Sequence, residues 1–149
     1  MKTCVIEIAL TIPDNEAYTA LTTLQRLGAV ISDLQRADVW RFEAEDGYET
    51  ALIDRVRTLE TMYNPNKHEM RVRDRDGREP GEVWIDDLGH DEIERPVVIS
   101  GRELPGVVRA VRYMGWRLFV SEGRPAPTEV VRSAVATLLC HPAFQRAII

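Results

Sequence analysis

The chain has 149 residues, a formal net charge of −5, and 44% hydrophobic against 29% charged side chains, the composition of an ordinary globular protein rather than a disordered, collagenous or membrane one. The acidic balance argues against a broad nucleic-acid surface, since phosphate affinity comes from clustered Lys and Arg, and no apolar run reaches the roughly 20 residues of a bilayer span. Two cysteines, Cys4 and Cys140, are too few for a disulfide scaffold, and the opening residues lack a secretory signal; the expectation is one compact cytoplasmic unit with both thiols reduced and buried.

Residues 4–12 are β-branched and mostly apolar, which reads as a strand covered on both faces. Pro13 ends it, Asp14 or Asn15 can cap the helix that follows, and Gly28 supplies its stop after Ala17, Leu21, Leu24 and Leu27 recur at helical spacing. The chain returns extended over 30–45, where Trp40, Phe42 and Ala44 alternate with polar residues before the Asp46-Gly47 turn. A second helix is predicted over 49–63, ended by Asn64-Pro65, and a short strand over 68–73.

Residues 74–81 carry no apolar side chain and end in Pro80-Gly81, the one clear linker or long hairpin loop. Beyond it come a strand-like Val83-Trp84-Ile85, an acidic loop over 86–94, an extended piece over 96–99, and a helix predicted over 104–114. The halves match when laid together: Trp40-Arg41-Phe42 finishing in Asp46-Gly47 against Trp116-Arg117-Leu118 finishing in Glu122-Gly123. The following helices align Arg55 with Arg132 and Asn64-Pro65 with His141-Pro142; upstream, Gly28 and Gly115 are each expected to close a helix, with 29–39 missing from the second copy.

The strand running into Pro13-Asp14-Asn15-Glu16, the helix ending Leu27-Gly28, the segment 33–46, and Met62-Tyr63-Asn64-Pro65 before a last short strand together resemble the small PurS subunit of phosphoribosylformylglycinamidine synthase. The resemblance covers nearly all of 4–73. The second half, with His141-Pro142-Ala143-Phe144 and a final Ala147-Ile148-Ile149, looks like a more degraded copy, and a tandem of this length resembles the N-terminal domain of the large single-chain synthase. Ala37-Asp38 stands where the small subunit usually has Gly-Lys, reversing the local charge.

The fold this implies is α+β: ferredoxin-like split βαβ modules, two diverged copies forming a pseudo-dimer with antiparallel sheets. The modules would be 1–73 and 82–149, joined by a linker at 74–81. The role it implies is that of a non-catalytic assembly or accessory protein of purine biosynthesis, a homo-oligomer with glutaminase and synthetase subunits as partners. The ammonia transfer and ATP chemistry would belong to those chains. The alternative is a small-molecule-sensing module of the amino-acid-binding type, with ligand held between the modules.

No phosphate loop of the G-x-x-x-x-G-K-[ST] or G-x-G-x-x-G kind occurs. Residues 101–106 could present helix N-terminal amides to an anion beside Arg102, although a turn is the plainer reading. Asp86, Asp87, His90, Asp91 and Glu92 have the composition of a cation site without the spacing of one, so a solvated acidic loop is preferred. Cys140 beside His141 is a poor nucleophile pair, because neighbours on a helix point apart. No catalytic residue, metal site or cofactor is therefore expected. Trp40, Arg41, Trp116 and Arg117, alike in both copies, are the binding candidates, as interface residues.

Overall fold

The computed structural model describes residues 1–88 and 91–149. In chain order it contains β1 (Lys2–Leu10), α1 (Asn15–Arg26), β2 (Asp33–Ala44), α2 (Glu49–Arg57), β3 (His68–Val72), β4 (Glu82–Asp86), β5 (Glu92–Glu94), β6 (Val98–Ile99), β7 (Arg102–Glu103), β8 (Val107–Val120), β9 (Arg124–Pro125), α3 (Thr128–Ala134) and β10 (Arg146–Ile148). A single 3₁₀ turn, Ser121–Gly123, follows β8, and a π-helical turn, Val135–Leu139, continues α3. The protein is α+β, with a mostly antiparallel sheet and few helices. No helix among the described residues is long and apolar enough to cross a membrane.

The chain folds into two compact units. Unit 1 comprises Met1–Ile12, Asp38–Gly77 and Gly89–Arg112; unit 2 comprises Pro13–Ala37, Arg78–Leu88 and Tyr113–Ile149. Each unit therefore draws on both sequence halves, and the predicted linker at 74–81 is divided between them. The long strands β2 and β8 contribute one part to each.

In unit 1 the strand order is β3-β1-β2-β8, with β5 also on β8 and β6–β7 as a separate ribbon. β1 runs antiparallel to β3, with Ile6 opposite Val72 and Ile8 opposite Met70. The Glu45 N–H donates to the Gly106 carbonyl at 2.8 Å, bringing the end of β2 beside the start of β8. Alternate residues of β1 (Cys4, Ile6, Ile8) and of β2 (Trp40, Phe42, Ala44) face one core, closed by Leu52 and Val56 of α2 and by Val97, Ile99 and Leu104 of the β6–β7 ribbon. Period-2 patterning in the strands and helical spacing in α2 thus bury the same layer from two sides.

In unit 2 the order is β10-β4-β8-β2, with β9 on β8. β4 is antiparallel to both neighbours: Trp84 faces Gly115 on β8 and Ile148 on β10. The Ser32 N–H donates to the Phe119 carbonyl at 2.8 Å. Here α1 contributes Leu24 and α3 contributes Val131 and Ala134 to a core with Val83, Ile85 and Leu118.

Asp14 caps α1, accepting from the Glu16 and Ala17 amides at 3.1 and 3.2 Å, and Gly28 leaves the helix at φ +94°, as its position after the last periodic residue requires.

Three local expectations need correction. The segment 104–114 is not a helix: Val107–Val120 is one 14-residue strand. Leu104, Val107, Val111 and Met114 mimic a helical stripe because neighbours on opposite sides of the strand, such as Ala110 and Val111, are both buried; a strand covered on both faces loses its alternation. Gly115 accordingly lies within β8 and closes no helix. α2 stops at Arg57, and its continuation to Tyr63 is a series of turns, such as the Met62 and Tyr63 amides both donating to the Leu59 carbonyl at 2.9 Å.

Candidate functional site

A cleft of about 410 Å³ lies in unit 2. One face of α1 supplies Asn15, Glu16, Thr19, Ala20 and Thr23, Trp116 of β8 supplies an indole, and Leu138 and Leu139 of the π-helical turn supply the rest. Its size falls within the range of small-molecule sites, about 300–1,000 Å³. The π turn matters locally, because such single-turn insertions recur at functional positions. Here it brings Leu138, 42% exposed, to the cleft while Leu139 is buried.

The rim is ordered by charge. Arg36 of β2 donates from Nε and Nη2 to both carboxylate oxygens of Asp14, at 2.9 and 3.0 Å, and its Nη1 pairs with Glu16. The same guanidinium lies 5.9 Å from the Trp116 ring centroid, within cation–π reach. Asp14 therefore does two things at once: it satisfies the first amides of α1 and, through a bidentate pair, holds Arg36 beside the indole. Among the described residues the cleft carries no nucleophile with an adjacent base. It offers an apolar wall, an aromatic edge and the Asn15, Thr19 and Thr23 side chains as polar points.

The residues singled out from sequence have unequal surroundings. Trp40 is buried in the unit 1 core, stacked on Phe42 with centroids 5.8 Å apart. Arg41 is bidentate to Asp76, with Nε and Nη2 each 2.9 Å from a carboxylate oxygen, and also reaches Glu43 at 2.9 Å. The Asp76 hydrogen bond raises the guanidinium pKa above its ordinary value against the opposing effect of burial, and in return Arg41 holds the Asp76 carboxyl below the usual carboxylate range. Trp116 is only half-buried and lines the cleft. Arg117 pairs with Glu79 at 3.0 Å. Both arginines are thus engaged within their own unit, while of the two tryptophans only Trp116 presents surface.

The acidic segment is organised by arginines. Asp86 is buried and accepts from Arg146 at 2.9 Å, Asp91 from Arg112 at 3.1 Å, and Glu92 from Arg109 at 2.6 Å. The Arg109 hydrogen bond lowers the Glu92 pKa. Asp87 accepts from Gln145 at 2.9 Å, and His90 lies outside the described residues. No group of three or more His, Cys, Asp or Glu side chains able to hold a metal occurs among the described residues.

Residues 101–106 form no helix N-terminus, since β7 and the turn that leads into β8 occupy that stretch; an anion cradle of helix amides there is excluded. Cys4 is buried and Cys140 partly so; both thiols are free, with burial raising each pKa, helped at Cys4 by Glu49. The His141 ring stacks on Phe144 at 4.4 Å.

Sequence reasoning did not find the cleft. A signal existed: Glu16, Thr19, Ala20 and Thr23 occupy one helical stripe of small or polar residues beside the apolar stripe of α1, and a helix face with little side-chain volume leaves space where a neighbour cannot fill it. Comparison with family models and with curated proteins finds no match to this chain.

Proposed function

We propose that the chain is a tandem of two diverged PurS-like modules, each contributing to a ferredoxin-like pseudo-dimer, and that it acts as a non-catalytic assembly or accessory protein for a phosphoribosylformylglycinamidine synthase. The observation that carries the reading is the equivalence of the two strand orders. Unit 1 has β3-β1-β2-β8 and unit 2 has β10-β4-β8-β2, and the second follows from the first by exchanging β1 for β4, β2 for β8 and β3 for β10. The helix between the last two members of each set, α2 or α3, stays with its own strands.

The segment joining the first two strands of each half goes to the opposite unit: α1 belongs to unit 2, and β5–β7 belong to unit 1. An internal duplicate whose copies exchange one connection produces this arrangement, and two unrelated halves have no reason to. The sequence match from Trp40 to Gly47 and from Trp116 to Gly123 falls on the equivalent strands β2 and β8 and the turns after them.

An assembly role is consistent with a surface lacking reactive clusters among the described residues and with the synthetic chemistry residing in partner chains. The decisive experiment is reconstitution. Mixing the chain with the glutaminase and synthetase subunits of the same organism should give co-migration on gel filtration and glutamine-dependent activity that neither partner shows without it. Partners that assemble and turn over glutamine equally well in its absence would end this reading.

The unit 2 cleft favours the alternative of a small-molecule-sensing module of the amino-acid-binding type, in a form where ligand sits within one unit. Under it, a metabolite panel should contain a compound that raises the unfolding temperature and changes Trp116 fluorescence.

A further inference from the structure

The strand β3 ends the strand order of unit 1, with β1 as its one neighbour among the described residues. The Arg73 N–H donates to the Val5 carbonyl and the Thr11 N–H to the Lys67 carbonyl, both at 2.9 Å. In antiparallel pairing the inward-bonding positions alternate, so Lys67, Glu69, Arg71 and Arg73 bond towards β1. The amide and carbonyl groups of Met70 and Val72, and the His68 carbonyl, project away from the sheet; the His68 N–H is used in the preceding turn, donating to the Asn64 carbonyl at 2.8 Å.

Unpaired edges template further strands unless their side chains forbid it. The charges on this edge are ordered rather than uniformly repulsive. Glu69 and Arg71 are both exposed and flank Met70 symmetrically. If a second copy of β3 is laid antiparallel about Met70, Glu69 of each copy stands opposite Arg71 of the other, at the non-hydrogen-bonded positions where side chains approach most closely. The Met70 residues then exchange a pair of backbone hydrogen bonds, and each Val72 N–H meets the His68 carbonyl of the other copy.

The one like-charge pairing in this register, Lys67 against Arg73, is relieved. The Arg73 guanidinium is turned inward onto Glu7 at 2.7 Å, with its side chain only 2% exposed. Arg71 also bonds Glu7 at 3.2 Å, which holds it on the face where Glu69 of the second copy would arrive. The opposite edge strand, β10, offers only the three residues Arg146–Ile148.

We infer that β3 is a homodimerisation edge, on which a second copy of this chain pairs antiparallel about Met70 with two reciprocal Glu69–Arg71 ion pairs. The contact is isologous and closes on itself. As strand addition with little side-chain area it forms a weak, concentration-dependent dimer that salt loosens. It does not depend on the synthase reading, and its failure would leave that reading standing.

The test uses the full chain in analytical ultracentrifugation and amide hydrogen exchange over a concentration series. The weight-average mass should climb from 17.0 kDa towards twice that, and the Met70 and Val72 amides should exchange more slowly as concentration rises. Glu69→Arg and Arg71→Glu should each weaken the dimer about tenfold, because each turns two attractive cross-strand pairs into repulsive ones. An equimolar mixture of the two variants should restore association, since a chain with arginine at both positions then meets a chain with glutamate at both, and each cross-strand pair is again of opposite charge. Should Arg71→Glu fail to fold for want of its Glu7 partner, Glu69→Arg and the exchange data decide alone. A wild-type mass and Met70 and Val72 exchange rates independent of concentration, or a Glu69→Arg variant that dimerises like wild type, would overturn the inference.

Discussion

Units 1 and 2 share a strand plan but close it differently. In unit 1 the first connection of the second half is the β6–β7 ribbon, which drives Val97, Ile99 and Leu104 into the core against Trp40 and Phe42. In unit 2 the corresponding connection is α1, whose stripe of Thr19, Ala20 and Thr23 leaves space beside Trp116. The tryptophans of the two Trp-Arg segments consequently differ: Trp40 is core, and Trp116 lines a cleft. The side-chain volume brought by one connection decides whether a given sheet position becomes packing or binding surface.

The largest expected effect sharpens that contrast. Phe42→Ala removes a fully buried ring and should cost about 3–5 kcal/mol in urea unfolding. Trp116→Ala, at a half-buried position beside existing space, should cost clearly less while abolishing the emission change on ligand titration. Equal losses would mean that the cleft is as tightly packed as the unit 1 core.

Next come two glycines in left-handed conformation, Gly106 at φ +76° in unit 1 and Gly123 at φ +69° in unit 2. A Cβ at Gly123 meets nothing within 4 Å, whereas one at Gly106 would run into the Tyr48 ring. Gly123→Ala should therefore cost only the backbone term, about 1–2 kcal/mol. Gly106→Ala should cost more, and thermal unfolding of both variants under one condition checks the order.

Asp14→Ala should destabilise by about 0.5–2 kcal/mol through loss of the α1 cap. It also frees Arg36 from its bidentate partner, so Trp116 fluorescence should shift even where the fold persists. A destabilised variant with unchanged emission would separate the cap from the cleft.

The smallest effect concerns Arg41 and Asp76 in unit 1. Their pair is partly exposed, so Asp76→Asn should cost about 0.2–1 kcal/mol at neutral pH. Asp76 and Glu92 both have folded pKa values below their ordinary ones, Asp76 through Arg41 and Glu92 through Arg109. The unfolded chain takes up these protons first as pH falls, so their stabilisation is present above the ordinary carboxylate range, near pH 4, and lost below it. Asp76→Asn should flatten that acid limb in pH-dependent unfolding; an unchanged limb would show that the pair is inert.

The Trp-Arg pattern falls on β2 and β8 but carries no information on what surrounds them. Arg41 and Arg117 read as available interface residues from sequence, yet each finds a carboxylate that lies far along the chain, Asp76 and Glu79. The acidic segment read as solvated, while Asp86, Asp91 and Glu92 are met by Arg146, Arg112 and Arg109. Charge partners separated by many residues leave no periodic trace, so composition alone overstates how many charges are free.

Local sequence by itself determined α1, with its Asp14 cap and Gly28 stop, the alternation that makes β2, and the turn at Asp46-Gly47, because each depends on a few consecutive dihedrals and side-chain-to-backbone bonds. Only the tertiary structure decided that residues 107–120 are a strand and not a helix, that α1 serves unit 2 while β1 before it builds unit 1 and β2 after it is shared between the two, and that Trp116 lines a cleft. Those outcomes depend on which strand lies alongside and what covers each face, contacts between residues distant in sequence that no local period encodes.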